Sequence, residues 1–559
     1  MEMVWNLFFM FGGVAAMMVG MKTLGSALEH VAGGGMKKLL SKVTSNRFSG
    51  IGVGIAVTSI IQSSTATTVM LVGFVNVGLM TLVQATNVIM GANIGTTVTA
   101  HIVSLSGIGS IDIGAIAAVI GFIGIMMAML INNEKIKNIG NILAGLGLIF
   151  VGLEFISTYA KLIMFIDGVP RTWVSLIFQG DHFPLLLIVI GILLTALVHS
   201  SSTITSLMVV LASIGVLSFP NALFLALGSN IGTCITSIMS SVGTNVNAKR
   251  TALAHLFFNL LGCLIFVAPL WVWQSQITNL FASMSNDVGQ QIAIFHTLFN
   301  VCTTIVLLPF TKYIVNLMCL IVKDKELSDE DGAKFKYIDD RLFSSPAVAA
   351  GNIKKEIIRM SEFSISNIKT SVEMLLNSSV DKEKEIRKNE EIINKLNKNI
   401  TTYLTKLIGK DLTGEDDKKI GSYYHVVSDV ERVGDYAENI LEYVLKLREE
   451  EVEISGDAKS EIDKLCKMVE DLYDASIRAF DERNTELLTV VDEIEDQVDD
   501  FSHELENKHI ERVKAGTCVA ELGSVYLQTV SNLERVGDHI TNLAFSIMHY
   551  RHVDGKVKK

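Results

Sequence analysis

Two short clusters of hydroxyl and amide side chains interrupt a part of the chain that is otherwise apolar. The first lies in IQSSTATTVM, residues 61–70, within a stretch from Phe48 to Ile111 that contains no Asp, Glu, Lys or Arg. The second lies in HSSST, residues 199–203, within another uncharged stretch. Neutral donors beside the positive end of a helix can bind an anion. At membrane depth, a broken helix is tolerated only against protein or a watery cavity. The clusters therefore predict an anion site made of uncharged donors.

The two clusters belong to an internal repeat. One constant offset, which carries position 54 onto position 191, aligns GIAVTSIIQSSTATT (54–68) with GILLTALVHSSSTIT (191–205), and GANIGTTVT (91–99) with GSNIGTCIT (228–236), without a gap. Duplicated polar clusters in matched apolar runs are typical of transporters whose site lies at the repeat interface. Two plainer interpretations stay open, because small and hydroxyl residues also serve close helix packing, and His199 suits a structural hydrogen bond as well as a ligand contact.

The elements that carry these clusters follow from a change of composition near residue 321. Residues 1–320 contain 12 Lys and Arg against 8 Asp and Glu, whereas the remainder contains 35 against 50. The first part is therefore predicted to be a polytopic protein of the lipid bilayer, and the second a soluble, charge-rich helical domain. Apolar runs of spanning length fall at about 4–28, 84–106, 111–132, 138–166, 222–246, 250–273 and 290–321.

Charge also indicates the side of the membrane and the class of partner. Short basic loops favour the cytoplasmic side, and Lys323 and Lys325 immediately precede the soluble part. The soluble part is therefore expected in the cytoplasm. Its net acidity argues against nucleic acid as a partner.

The soluble part contains a second repeat. ERVGDYAENI (431–440) recurs as ERVGDHITNL (534–543), and NEEIINKLNKNI (389–400) matches IEDQVDDFSHEL (494–505) in pattern. Apolar residues recur at helical spacing, and no proline follows Pro346. The pattern predicts two similar bundles of about three helices each.

Each copy of this second repeat carries a pair of carboxylates four residues apart. Glu431 and Asp435 share one helical face, as do Glu534 and Asp538. Two like charges at this spacing repel weakly and gain if a cation bridges them. The alternative is a solvated acidic face that neighbouring arginines balance. A glycine inside each motif indicates close approach of another chain segment.

The doubled membrane motif, with AHLFFN (254–259) and FHTLFN (295–300), resembles the type II sodium-dependent phosphate cotransporter family over about residues 5–320. The resemblance implies an all-α, polytopic membrane helical bundle of inverted repeats, about 4–132 and 138–273, with two re-entrant helical hairpins. It places phosphate between the hairpin tips and sodium beside it. The implied phosphate contacts are Gln62, Ser63, Ser64, Thr65, Asn93, Ser200, Ser201, Ser202 and Asn230. The implied sodium ligands are Ser200, Ser229, Thr233 and Thr236, with backbone carbonyls. The chain departs from the family motif at Thr65 and His199.

The soluble part resembles the PhoU family of phosphate-signalling proteins over about residues 346–550. This resemblance implies a membrane domain at 1–321, a linker at 322–345 and a soluble PhoU-like helical bundle domain at 346–553. It also implies a divalent or trivalent metal bound by Glu431, Asp435, Glu534 and Asp538. A transporter with such a tail resembles bacterial members of the cotransporter family, which implies the cell inner membrane.

These observations predict sodium-coupled transport of inorganic phosphate, regulated by the tail. We expect a carrier and not an enzyme, because the membrane half has no nucleophile–base pair, Walker loop or catalytic metal signature. The rival hypotheses are a membrane-anchored phosphate sensor, and the same carrier acting on another oxyanion or in net export. Intact motifs in both repeats favour transport. Flux direction, sodium stoichiometry, metal identity, a cytosolic partner of the tail and a homo-oligomer stay open.

Overall fold

A computed structural model describes residues 1–41, 46–105, 113–180, 182–323, 334–344, 346–408, 414–516 and 520–550. The chain divides into two compact units, Met1–Glu326 and Leu327–Lys559. The described residues are helical throughout apart from turns and one pair of two-residue strands. These strands, β1 (Phe165–Ile166) and β2 (Val169–Pro170), pair antiparallel. The predicted all-α fold is confirmed.

The first unit contains the helices expected of a polytopic membrane protein. Five stretches are long and apolar enough to cross a bilayer: Glu2–Val31, Glu134–Met164, Phe219–Ser240, Val246–Val272 and Val288–Ile321. The predicted runs 84–106 and 111–132 form helices of 23 and 18 residues. In chain order the helices are α1 (Glu2–Ser41), α2 (Arg47–Ile61), α3 (Ser64–Asn76), α4 (Leu82–Ser104), α5 (Ile113–Leu130), α6 (Glu134–Met164), α7 (Thr172–Val174, continued by a π-helical turn at Ser175–Gln179), α8 (Pro184–Val198), α9 (Ser201–Ser213), α10 (Phe219–Gly232), α11 (Cys234–Ser240), α12 (Val246–Val272), α13 (Gln274–Met284), α14 (Val288–Leu307) and, after a 3-10 turn at Leu308–Phe310, α15 (Thr311–Ile321).

The structure repeats with the offset of the sequence. Helices α8 and α9 begin and end at the positions that align with the ends of α2 and α3, and α10 begins at the position that aligns with the start of α4. In the first copy α2 runs parallel to α4, since a Cβ on Gly54 would overlap the Val88 carbonyl and one on Gly95 the Ile55 carbonyl. Helix α3 returns and packs against both. The arms α2 and α3 have 15 and 13 residues, too few to span a bilayer of about 30 Å at about 1.5 Å per residue. The pair therefore forms a re-entrant hairpin.

The two copies run in opposite directions. Helices α1 and α6 correspond approximately under the same offset, and they pack tightly against each other through glycines. A Cβ on Gly13 would meet the Gly152 backbone, whereas one on Gly20 would meet the Gly145 carbonyl. The later residue on α1, Gly20, thus contacts the earlier residue on α6, Gly145, which shows that the two helices pack antiparallel. Equivalent helices that are antiparallel make the repeats inverted.

The second unit consists of two three-helix bundles, as predicted. Helices α16, α17 and α18 pack together, and so do α19, α20 and α21. The bundles meet along α18 with α21 and α16 with α19. The helices are α16 (Pro346–Asn377), α17 (Glu383–Ile408), α18 (Gly414–Glu449), α19 (Gly456–Glu482), α20 (Leu487–Lys514) and α21 (Ala520–Phe545), with 3-10 turns at Asp340–Ser344 and Ser546–Tyr550.

Part of the range predicted as a linker is packed against the first bundle. Glu356 of α16 is fully buried, and its Oε2 accepts the backbone N–H groups of Lys336 (3.1 Å) and Tyr337 (2.7 Å). Its Oε1 accepts from Arg359. The hydroxyl of Tyr403 on α17 donates to the carbonyl of Asp339 at 3.0 Å. Residues 334–344 therefore belong structurally to the bundle.

Candidate functional site

Each hairpin turns at the predicted motif, with the same backbone geometry in both repeats. Gln62 ends α2 with φ 58°, and His199 ends α8 with φ 57°, both in the left-handed region. Ser63 and Ser200 are extended and cap α3 and α9, because each hydroxyl oxygen accepts the backbone N–H three residues further on, at 3.1 and 3.2 Å. Left-handed non-glycine residues are strained and cluster at functional sites. The motif thus breaks one helix and starts the next.

The residues after each cap supply hydrogen-bond donors. Backbone N–H groups in the first turn of a helix have no partner within that helix. Ser64 and Thr65 occupy this turn in one hairpin, and Ser201 and Ser202 occupy it in the other. Three of the four are buried, at 5, 3 and 6% exposure for Ser64, Ser201 and Ser202. Two buried helix N-termini with hydroxyl side chains suit an oxyanion that meets no fixed countercharge.

The first residue of each tip is held by an equivalent partner. Thr99 donates its hydroxyl hydrogen to Oε1 of Gln62 at 2.9 Å. Thr236, which aligns with Thr99 in the second repeat, has its Oγ1 3.2 Å from Nδ1 of His199. The histidine therefore takes the structural place of the glutamine, with a ring nitrogen where the first repeat has an amide oxygen.

The two hairpin tips contact each other. The hydroxyl of Thr65 donates to the backbone carbonyl of His199 at 3.4 Å. These are the two positions at which the chain departs from the family motif. The contact brings the predicted residues of the two tips, 62–65 and 200–202, to one place.

The two asparagines predicted to contact phosphate lie on α4 and α10. Asn93 is six residues before Thr99, which is about 9 Å along a helix. The amide nitrogens of Asn93 and Asn230 donate to Oδ1 of Asn259 and Asn300, both at 3.2 Å. The structure thus places them against α12 and α14, and their contact with phosphate stays a prediction.

The four residues predicted to bind sodium fall at two levels. Ser200 and Thr236 lie at the second tip. Ser229 on α10 is seven residues before Thr236 on α11, about 10 Å along the single stretch Phe219–Ser240 that the two helices form, and its hydroxyl accepts from Thr195 at 2.8 Å. Thr233 lies between them and donates to the carbonyl of Asn230 at 2.7 Å. One ion cannot contact both levels, so the set is divided if it binds sodium.

The predicted carboxylates of the first bundle meet a further one from α17. Burial raises the pKa of Glu390 to about 7, and the charges of Asp435, Glu438 and Glu431 add to this effect. Burial, followed by the charges of Glu431 and Glu438, also raises the pKa of Asp435. Glu390 is 5% exposed, and its Oε2 has no hydrogen-bond partner among the described residues. A cation here would offset both the cost of burying a charged carboxylate and the repulsion between the carboxylates.

The second bundle has an equivalent group. Carboxylate oxygens of Glu495, Asp499 and Asp538 lie within 4.8 Å of one another. Burial, followed by the charges of Asp538 and Asp499, raises the pKa of Glu534. In the pattern match between 389–400 and 494–505, Glu495 aligns with Glu390, whereas Asp499 stands where the first bundle has Asn394. The second group therefore carries one more carboxylate on its α20 side.

The two motif glycines differ in what they permit. A Cβ on Gly434 would lie 2.8 Å from Oε2 of Glu390, so this carboxylate would have to move away from α18 if any other residue stood here. A Cβ on Gly537 would make ordinary contacts of 3.4 Å with Leu472 and 3.5 Å with Val498. The close approach expected from both glycines is present at the first alone.

Several residues of these sites were not singled out from the sequence, although signals for them existed. Glu390, Glu495 and Asp499 lie inside the pattern match of the second repeat. Asn259 and Asn300 are the last residues of the motifs AHLFFN and FHTLFN. These motifs supported the family resemblance, but none of their residues was assigned to a site.

Comparison with known proteins gives two family matches. The model for Na+/Pi-cotransporter proteins matches residues 16–158 and 174–285, and the PhoU domain model matches residues 357–444 and 462–547. A Salmonella typhimurium protein provisionally named inorganic phosphate export protein YjbB is 26% identical over 438 residues, 78% of this chain and 77% of that protein. Bacillus subtilis YqeW is 30% identical over 308 residues, 55% of this chain and 95% of that protein. Rat sodium-dependent phosphate transport protein 2B is 44% identical over 85 residues, 14% of this chain and 12% of that protein.

Proposed function

The chain belongs to the Na+/Pi-cotransporter family and carries a PhoU domain, and on this premise we propose that it is a carrier that moves inorganic phosphate together with sodium ions. The observation that supports this most strongly is the meeting of two equivalent hairpin tips, each a capped helix N-terminus with buried hydroxyls. The predicted anion site thus has one half from each repeat. The carrier performs no chemical step on its cargo.

Phosphate binds between the tips through neutral donors. Its oxygens accept from the backbone N–H groups of Ser64, Thr65, Ser201 and Ser202 and from the hydroxyls of Ser64, Ser201 and Ser202, with Gln62, Ser63, Ser200, Asn93 and Asn230 in support. A carrier must release its cargo, and a fixed Arg fork would hold a phosphate dianion strongly. Sodium supplies the positive charge instead, so that phosphate affinity depends on the ion.

Sodium binds to neutral oxygens of the second repeat. Thr236 and Ser200 form one candidate position at the tip, and Ser229 with Thr233 forms a second. Unwound segments in transporters provide carbonyl oxygens for such ions. Two separate positions fit the two levels on which these side chains lie.

The membrane in which the carrier works is the inner membrane of a bacterium, with the tail in the cytoplasm. The basic residues before the tail support this orientation. The tail regulates transport. The segment 334–344, with which the described part of the tail begins, is held to the first bundle by hydrogen bonds to Glu356. Net export is the second candidate for the direction of flux, because the Salmonella relative is named as an export protein.

The tail binds a divalent or trivalent metal in each bundle. Glu431, Asp435 and Glu390 provide the ligands in the first, and Glu534, Asp538, Glu495 and Asp499 provide them in the second. Carboxylate oxygens are the ligands that hard cations prefer. The unpaired, buried Oε2 of Glu390 supports this assignment over a solvated acidic face.

The experiment that tests the proposal is phosphate binding to the purified full chain with and without sodium. Titration calorimetry in sodium chloride should give saturable phosphate binding, and replacement of sodium by choline should weaken it at least tenfold. Equal affinity in both salts would refute sodium coupling. No phosphate binding in either salt would refute the carrier assignment.

A further inference from the structure

Helices α12 and α14 carry the same pair of buried polar side chains. His255 and Asn259 on α12, and His296 and Asn300 on α14, are four residues apart and lie one turn from each other. All four are 1% exposed. Each asparagine meets the GxNIG helix of one repeat, α4 or α10.

Backbone carbonyls fix the orientation of both partner asparagines. Nδ2 of Asn259 donates to the carbonyl of His255 at 3.1 Å, and Nδ2 of Asn300 to that of His296 at 2.8 Å. A carbonyl can only accept a hydrogen bond, so the amide nitrogen must be on that side. Each Oδ1 consequently points away from its own helix.

The orientation of Asn259 and Asn300 determines that of Asn93 and Asn230. Since Oδ1 of Asn259 and Asn300 can only accept, Asn93 and Asn230 must present Nδ2 to them, at 3.2 Å in both repeats. An amide nitrogen carries two hydrogens, and this bond uses one of them. The second N–H is left to donate.

The second repeat has one more link in this chain. Nε2 of His296 lies 3.2 Å from Oδ1 of Asn230, and because that oxygen accepts, the ring nitrogen donates. Oδ1 of Asn230 is therefore held on the side of His296, and the second hydrogen of Nδ2 is the donor that remains. His255, the counterpart of His296 on α12, instead has its Nδ1 2.9 Å from the hydroxyl of Ser237.

We propose that Asn259 and Asn300 are positioning residues that hold Asn93 and Asn230 with an amide N–H directed at the transported anion, and that His296 locks the second of these. The proposal rests on the proposed function. It makes α12 and α14 part of the site, although neither belongs to a hairpin. It also accounts for the otherwise unassigned motifs AHLFFN and FHTLFN.

A double-mutant cycle on phosphate affinity tests this. Asn230→Ala should weaken phosphate binding about tenfold, the effect of losing a hydrogen bond to a charged group. Asn300→Ala should weaken it several-fold, and the double variant should bind like Asn230→Ala alone. A positioning residue has nothing left to position once its partner is gone.

The control cycle combines Asn300→Ala with Asn93→Ala, which belong to different asparagine pairs and should be additive. Asn221→Ala removes a buried asparagine from the start of α10, bonded to Phe178 and Gly180 carbonyls, and should leave phosphate affinity within twofold. If Asn300→Ala does not fold, Asn259→Ala with Asn93→Ala provides the same cycle on the other asparagine pair.

The result that overturns the proposal is additivity of Asn300→Ala with Asn230→Ala, or wild-type affinity for Asn300→Ala. His296→Gln, which can still donate, should retain more affinity than His296→Leu, and equal values would remove His296 from it. Failure of the wild-type protein to bind phosphate would instead refute the proposed function, so the two failures are distinguishable.

Discussion

The two halves of the chain are both built by duplication, but the duplicated groups differ in charge. In the membrane unit each copy contributes hydroxyls, amides and helix N-termini, and no charged side chain occurs in the hairpins beyond Arg47 at their start. In the tail each copy contributes a group of carboxylates with raised pKa values. Neutral donors suit a cargo that must be released, whereas repelling carboxylates suit an ion that is retained. On the proposed function, duplication gives two halves of one site in the membrane unit and two separate sites in the tail, and the charge of the duplicated residues indicates what they bind.

The largest effect should follow from filling one membrane half-site. Ser64→Leu or Ser201→Leu should each lower phosphate uptake at least a hundredfold, because both tips meet at one place. Uptake into proteoliposomes measures this, with Ser213→Leu at the far end of α9 as the matched control. Normal uptake in either tip variant would mean that its copy serves packing alone, and the comparison would fail.

Removing carboxylates should empty the tail sites. Asp435→Ala combined with Asp538→Ala should remove most of the metal that the full chain retains after incubation with manganese or iron, as elemental analysis measures it. Asp463→Ala, on the surface of α19 and paired with Lys467, is the control and should change nothing. Equal metal content in all three proteins would favour the solvated acidic face.

Replacing the two motif glycines with alanine should have different effects, a loss of metal affinity at Gly434 and a gain of stability at Gly537. Gly434→Ala should lower metal affinity of the first bundle about tenfold, since its Cβ displaces the Glu390 carboxylate. Gly537→Ala has room and should raise tail stability by about 1 kcal/mol through helix propensity. Thermal unfolding and metal titration measure both, and a similar loss in the two variants would contradict the difference between the bundles.

Removing the tail should have a moderate effect. A chain that ends at Lys323 retains all the helices of the membrane unit, so its phosphate affinity in sodium should stay within about threefold, whereas its uptake rate should change. Calorimetry and uptake measure these. Loss of phosphate binding by a correctly inserted truncated protein would make the tail part of the transport site.

The smallest effect should be that of membrane potential. Moving one charge through about 100 mV changes the free energy by about 2.3 kcal/mol, so an unaccompanied dianion would depend steeply on voltage. Two sodium ions cancel that charge, and uptake at a fixed sodium gradient should then change less than twofold between clamped potentials. A steep rise at inside-negative potential would indicate a third cation and direct attention to Asp112, which lies outside the described residues.

The features that could be predicted from the sequence are those that occur in both copies of a repeat. The offset between the two membrane copies located the tips, and the helix ends of the two hairpins follow the same offset to the residue. That the predicted sodium ligands lie at two levels could not be predicted, because the distance from Ser229 to Thr236 depends on α10 and α11 forming one stretch across Thr233. The role of Glu390 could not be predicted from the sequence, because the residues around it are also acidic. Only its burial against Gly434 distinguishes it from them. Asn259 and Asn300 lacked a partner until α4 and α10 were placed beside them.

On the proposed function, the paired tips carry phosphate across a membrane, driven by a sodium gradient. Uptake of radiolabelled phosphate into proteoliposomes containing the full chain tests it directly, with an inward sodium gradient compared with equal sodium on both sides. We expect phosphate to accumulate above its external concentration with the gradient, and to equilibrate without it. Identical phosphate uptake under both conditions would contradict sodium coupling, and no uptake or efflux under either would contradict transport itself.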